Sequence, residues 1–156
     1  MGSKARAGQV RKTHPTPHDR RPPPGALRLS VIIPAYREVE RIAGAIDRVR
    51  SELGDQLAPG DLEVVVVDDG SGDGTAEAAK DADLVIPFAV NQGKGAAVRA
   101  GMLAASGRTR AFTDADLSYA PAQIVGLLTE VEAGWDVVVG SRFHAETTTV
   151  VEASPL

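Results

Sequence analysis

Three observations predict an α/β fold built on a mainly parallel sheet with flanking helices. From residue 27 onward, short apolar runs alternate with segments of helical period. The runs are continuously apolar, as expected of strands covered on both faces. Acidic and glycine-rich segments follow the runs directly, which predicts a ligand crevice beside the carboxyl ends of the strands.

The elements follow in order. Residues 29–34 (LSVIIP) make a first strand, with Val31, Ile32 and Ile33 in succession. A helix is expected over 38–53, because Val39, Ile42, Ile46, Val49 and Leu53 recur at three- and four-residue steps and Gly54 can end it. Residues 62–67 (LEVVVV) give a second strand, followed by the turn-rich DDGSGDG segment and a short helix over 75–81. Residues 84–88 form a third strand, and 93–106 a helix whose alanines and glycines permit close approach to the sheet. A brief fourth strand over 110–113 runs straight into Asp114. Pro121 suits the first turn of a helix reaching Ala133, with Ile124, Leu127, Leu128 and Val131 on one face. A fifth strand is expected at 136–140 (DVVVG), with Trp135 packed beside it, and the residues beyond have no clear period.

Composition narrows the function. The chain has 156 residues, about one domain, with 43% hydrophobic and 24% charged residues. It lacks a run of about 18 apolar residues that could span a bilayer. With no cysteine, disulfides, zinc–thiolate sites and thiol nucleophiles are excluded, and the composition fits a reducing, cytoplasmic setting. The net charge of -4 is uneven: residues 1–30 carry seven Lys/Arg against Asp19, a balance of +6, which leaves -10 for the remainder. Residues 1–26, basic and proline-rich, are expected to be a disordered tail without the apolar segment of a signal peptide. Such a tail could touch anionic lipid or nucleic acid. The plainer expectation is a solvated extension, and no nucleic-acid partner is expected.

The candidate site residues stand at strand ends. Asp114 and Asp116 flank Ala115, and in extended chain residues two apart point the same way, so both carboxylates can face one hard divalent cation. The alternative is a turn in which one Asp caps the helix near Pro121. The charge of the domain favours the cation, because -10 repels a nucleoside diphosphate unless a positive ion intervenes. Asp68 and Asp69, in a loop with Gly70, Gly72 and Gly74, could accept hydrogen bonds from a nucleobase or ribose, while Asp73 could cap the next helix. Asn91-Gln92-Gly93-Lys94-Gly95 opens a helix and gathers main-chain N–H groups and one ammonium, which suits a phosphate or a sugar hydroxyl. It is not a Walker A loop, and Pro-Ala-Tyr-Arg-Glu after the first strand lacks the Gly-x-Gly of a dinucleotide site. Arg142 could bring forked donors to a diphosphate or stand as an ordinary surface group. His14, His18 and His144 show no metal-ligand spacing.

Taken together, VIIPAYREVERI, VVVVDDGSGDGT, NQGKGAAVRAGM, FTDADLS and VVVGSR resemble, in order, the donor-binding half of a family 2 glycosyltransferase of the GT-A fold. The resemblance runs over residues 29–143 and leans toward the polyprenyl- and dolichyl-phosphate hexose synthases, more to the glucosyl than the mannosyl enzymes. It implies a nucleotide-sugar-binding domain over 27–143, with 144–156 the irregular start of an acceptor region cut short. It also implies that Pro34, Tyr36 and Glu38 line a nucleoside pocket, with Val67 and Asp68 or Asp69 against the base. Asp114, Ala115 and Asp116 would face Mg²⁺ or Mn²⁺ and the diphosphate, Lys94 would join the donor site, and Asp116 and Arg142 would be the catalytic pair. Arg37 stands where such enzymes usually have Asn, and Ser118 where they often have Gln.

The function implied is a metal-dependent, inverting hexosyltransferase, or its donor-binding half. The donor would be UDP-glucose or GDP-mannose, and the acceptor a polyprenyl or dolichyl phosphate at the inner face of a membrane. A phosphate acceptor is already anionic at neutral pH, which agrees with the lack of an evident base in these motifs. Two alternatives stay open: a family 2 enzyme with a polysaccharide or small acid as acceptor, and a non-catalytic nucleotide-sugar-binding fragment. If the acceptor region is cut short, the chain alone is expected to bind donor weakly and to transfer no hexose.

Overall fold

Continuous β-branched runs need strand partners on both sides and helices on both faces, and this chain supplies both. The computed structural model describes residues 27–140. The expected basic tail, the segment 144–156 and Arg142 lie outside the described residues. Four strands, β1 (Leu29–Ala35), β2 (Leu62–Asp68), β3 (Leu84–Pro87) and β4 (Thr109–Phe112), alternate with α1 (Ile42–Gly54), α2 (Thr75–Ala78), α3 (Lys94–Ala104) and α4 (Gln123–Glu132). The sheet order is β3-β2-β1-β4, and every pairing is parallel. β1 is central and buried along its whole length, pairing Leu29 to Leu62 on one side and Leu29 to Thr109 on the other.

Alternation along the strands sorts side chains onto two faces. Val31, Ile33, Val64 and Val66 join Ile42, Ile46, Val49 and Leu53 of α1 and Ile124 and Leu128 of α4 in the larger core. Ile32, Val65 and Val67 face the other way, against Ala97 of α3 and Ala105. The smaller layer depends on small helix residues. A Cβ built on Gly101 would lie 2.5 Å from Ile32 Cγ2 and 3.1 Å from Val67 Cγ2, so any side chain there would push α3 off the sheet. Arg28 secures α4 to the start of β1 through a forked pair with Glu132, both bonds 2.7 Å.

Helix starts and lengths differ from the pattern where loops claim the backbone. α1 begins at Ile42 rather than 38, because the Glu38 N–H donates to Thr75 Oγ1 (3.0 Å) and the chain makes a turn closed by Ile42 N–H on Glu38 O (2.8 Å). α2 ends at Ala78, and Ala82 N–H on Ala79 O (2.9 Å) starts the turn into β3. Pro121 precedes α4 and accepts from the Ile124 N–H, instead of standing inside the helix.

The fifth strand is a correction. Residues 137–140 take no regular structure, and Val137 and Val139 are 77% and 79% exposed. Valine content favours extended backbone, but a strand exists only when a neighbour accepts its hydrogen bonds. Among the described residues β4 pairs with β1 alone. Trp135 therefore has no fifth strand to pack beside, and its indole N–H donates to Glu130 Oε2 (3.1 Å).

Candidate active site

The strand order creates a switch point. From β1 the chain steps outward to β2 and β3, then returns to place β4 on the opposite side of β1. The loops after β1 and β4 consequently diverge, leaving a crevice at their carboxyl ends. An open cleft of about 290 Å³ lies on the β1 side of this crevice, between the chain that follows β1, Asp69 after β2 and the start of α3, and is lined by Pro34, Ala35, Tyr36, Glu38, Asp69, Asn91, Gly93, Lys94 and Ala97.

Side-chain oxygens of the DDGSGDGT loop pin the wall that follows β1. The Arg37 N–H donates to Ser71 Oγ (2.8 Å), and the Glu38 N–H donates to Thr75 Oγ1. Ser71 in turn donates its hydroxyl and its N–H to Asp68 Oδ1. Thr75 donates its hydroxyl to Asp73 Oδ1 (2.6 Å), the main reason the Asp73 carboxyl sits below its usual range. Asp73 also accepts the Thr75 N–H (3.0 Å) and so serves the start of α2 from one position before the N-cap, which is Gly74 and not Asp73 itself. Arg37 is left-handed (φ 59), a conformation that Asn tolerates better than other side chains, in line with the residue that the resembled enzymes usually carry there.

Asp69 is almost fully buried, at 3% exposure. Its two oxygens accept the N–H groups of Gln92 (2.7 Å) and Gly93 (2.9 Å), the residues just before α3. The carboxylate thus holds the NQGKG loop, and the two loops touch closely. A Cβ on Gly70, which has φ 72, would stand 2.5 Å from the Val90 carbonyl carbon. Loop capping across 23 residues is not legible in the sequence, which sets Asp69 beside Asp68 as alternative base contacts. The helix-opening loop that follows β3 was the available signal.

On the β4 side, Asp114 forms an ion pair with Lys94 Nζ, with both side chains about half exposed (51% and 57%). Lys94 also lies over the Phe112 ring, 6.0 Å from its centroid. Asp116 accepts the Ser118 N–H (3.0 Å). That bond does most to hold the Asp116 carboxyl below its usual range against the opposing effect of partial burial, with help from the Ser118 hydroxyl and the charges of Lys94 and Arg41. Leu117 between them is left-handed (φ 48) and 7% exposed, so its side chain is anchored in the core while the backbone turns back toward Asp116.

The structure therefore gathers Pro34, Tyr36, Glu38, Asp69 and Lys94 around one cleft, and brings Asp114 to it through Lys94. Three expected contacts are placed differently. The Ala115 methyl is in the larger core and the Val67 side chain in the smaller one, so either residue could offer a ligand only its main chain. Asp68 does not line the cleft, and its Oδ1 is engaged by Ser71 within its own turn. Ala35 and Ala97 line the cleft without a sequence signal, being small and apolar. Arg41, whose charge acts on Asp116 and which pairs with Glu38 (3.1 Å), was hidden among surface cations.

A parallel sheet with a cleft at the carboxyl ends of its strands defines the protein first as an open α/β fold. Its family follows from comparison: the Glycosyl transferase family 2 pattern matches residues 30–154, and the chain belongs to that family. It is 34% identical over 149 residues to a dolichyl-phosphate beta-glucosyltransferase of Drosophila melanogaster, covering 83% of this chain and 45% of that protein. It is 34% identical over 122 residues to a dolichol-phosphate mannosyltransferase of Pyrococcus furiosus, covering 75% and 34%. To an undecaprenyl-phosphate 4-deoxy-4-formamido-L-arabinose transferase of Yersinia pestis the identity is 36% over 118 residues, covering 71% and 36%. The chain thus spans less than half the length of these relatives. Among solved structures it is similar to the mannosyltransferase PcManGT of Pyrobaculum calidifontis in complex with GDP-Man and Mn²⁺, with a TM-score of 0.51 and 32% identity over 57% of this chain and 27% of that one. The fold is GT-A.

Proposed function

We propose that this chain forms the donor-binding part of a metal-dependent hexosyltransferase that moves a hexose from a nucleotide sugar to a polyprenyl or dolichyl phosphate at a membrane surface. The observation that carries the reading is Lys94, which lines the Tyr36/Glu38/Asp69 cleft, forms an ion pair with the strand-end carboxylate Asp114 and acts by its charge on Asp116. Support for the acceptor class comes from the three relatives, whose names specify dolichyl or undecaprenyl phosphate. Support for a nucleotide donor with a divalent ion comes from the GDP-Man and Mn²⁺ of the similar solved structure. Among the described residues no helix is long and apolar enough to cross a membrane.

The residues present fit such an ion. Asp114 and Asp116 are hard oxygen donors two positions apart, and among the described residues no group of three or more His, Cys, Asp or Glu side chains converges. Two carboxylates do not close a cage; they suit a cation that keeps positions for diphosphate and water, as Mg²⁺ does and Mn²⁺ can. Bound there, the ion would offset charge on the departing nucleoside diphosphate. The chain's own part is positional. The cleft, at the small end of the roughly 300–1,000 Å³ of ligand sites, takes the nucleoside, which leaves the diphosphate over Lys94, Asp114 and Asp116. The Ser118 N–H holds the Asp116 carboxylate and favours its charged form, and Arg142, outside the described residues, is proposed as a further cation for the diphosphate.

Calorimetric titration of GDP-mannose and UDP-glucose, each with Mn²⁺ and with EDTA, tests the reading. Binding should require the ion, and Asp114→Asn or Asp116→Asn should weaken it about tenfold or more, since each removes an anionic ligand. Equal affinity in EDTA would remove the metal assignment. Labelled hexose transfer to polyprenyl phosphate, but not to soluble acids or glycans, would assign that acceptor, whereas donor binding with no transfer to any of them would assign a donor-binding fragment.

A further inference from the structure

We infer that Lys94 is an internal counter-ion for Asp114 that competes with the divalent cation and is handed over to the donor diphosphate when the site fills. The inference rests on the metal reading above and adds a direction to it: Lys94 weakens binding of the metal alone while strengthening binding of the diphosphate.

Three features place Lys94 in that role. It is the first residue of α3, and the loop preceding it is fixed by the buried Asp69 carboxylate on the Gln92 and Gly93 N–H groups. Gly93 has φ 92, a conformation open to glycine, and this aims the chain so that the Lys94 side chain crosses from α3 to the end of β4. There its ammonium meets Asp114, with the Phe112 ring 6.0 Å from it on the same side. The backbone of this lysine is held by a buried group, while its tip is held only by exposed ones.

The magnitudes favour exchange over permanent pairing. With side chains 57% and 51% exposed, the Lys94–Asp114 pair is weak enough to be broken by a competing ion. A dication placed at Asp114 gains a stronger attraction than one ammonium does, and it repels that ammonium. The freed Nζ stays tethered at the opening of α3, beside a cleft lined by Asn91 and Gly93, where a bound diphosphate would offer it complementary charge in place of Asp114. Competition from an exposed pair of this kind lowers the apparent affinity for the lone metal by about two- to fivefold. Charge complementarity raises the affinity for the diphosphate in return.

The test is Mn²⁺ binding to the full chain, followed by the electron paramagnetic resonance of the free ion, with no nucleotide present. Lys94→Met should bind Mn²⁺ about two- to fivefold more tightly than the parent, and Lys94→Arg should bind like the parent. Lys80→Met controls for net charge, since Lys80 lies in the turn leading into the opposite end of β3, and it should shift the affinity less than Lys94→Met does. Binding of UDP or GDP at saturating Mn²⁺ should move the other way and weaken in Lys94→Met. Unchanged or weaker Mn²⁺ binding in Lys94→Met, or an equal gain in Lys80→Met, would overturn the inference while leaving the metal site standing. No Mn²⁺ binding to parent or variant would overturn both. Circular dichroism of each variant checks that the fold is retained.

Discussion

Replacing Asp69 by Asn should loosen a whole loop, although it alters one atom. The carboxylate is 3% exposed, and each of its oxygens accepts one main-chain N–H, from Gln92 at 2.7 Å and Gly93 at 2.9 Å. An amide offers one acceptor and turns an NH₂ toward the other donor. One charge-assisted bond becomes a neutral one, and a buried N–H loses its partner, a change of about 3 kcal/mol when each effect is taken at roughly 1–3 kcal/mol. For a domain of this size that corresponds to a melting point lower by roughly 10 °C. The loss should also be local, so hydrogen exchange should speed at the Gln92 and Gly93 amides before it speeds in β1. Asp68→Asn is the comparison, because the Asp68 bonds stay inside its own turn with Ser71, and it should cost less. A melting point for Asp69→Asn within about 2 °C of the parent, with both amides still protected, would refute the clamp.

Gly70→Ala should cost about 2–4 kcal/mol, because a left-handed alanine adds to a Cβ placed 2.5 Å from the Val90 backbone. Gly72→Ala, left-handed but with nothing within 4 Å, should cost only about 1–2 kcal/mol; equal losses in chemical denaturation would mean that the close approach carries no weight. Gly101→Ala should lose about 1–3 kcal/mol by forcing α3 away from Ile32 and Val67, and a neutral result would contradict that packing. Arg28 holds the Glu132 carboxyl below its usual range, so its contribution is complete above the unfolded pKa of about 4.3 and is lost as pH falls through the lower folded value. Glu132→Gln should therefore remove about 1 kcal/mol at pH 7 and flatten the acid side of the stability profile, while identical pH profiles would show that the pair contributes nothing.

Much of this protein was legible in its residues, for identifiable reasons. Unbroken runs such as VIIP and VVVV can be satisfied only between two covering layers, so the parallel sheet followed from them directly. The ordered motifs, the first four of which begin in or follow a strand of the sheet, pointed to the crevice and the family. Local sequence also put Asp73 at the start of α2, one position before the N-cap Gly74, because its partner Thr75 is two residues away. Contacts between distant segments were a different matter. Asp68 and Asp69 are adjacent and chemically identical, yet one closes its own turn and the other clamps a loop 23 residues on. Only the packing of β2 against β3 determines which carboxylate faces that loop. The DVVVG run had the composition of a strand, but pairing belongs to two segments and could not be read from one. The Lys94–Asp114 pair likewise depends on the start of α3 and the end of β4 meeting at one point, a consequence of β4 joining the free edge of β1. Sequence alone determined which residues carry charge and, to within a residue, where the four paired strands end; tertiary structure decided which charges meet and which runs pair at all, because both depend on the order in which the strands lie side by side.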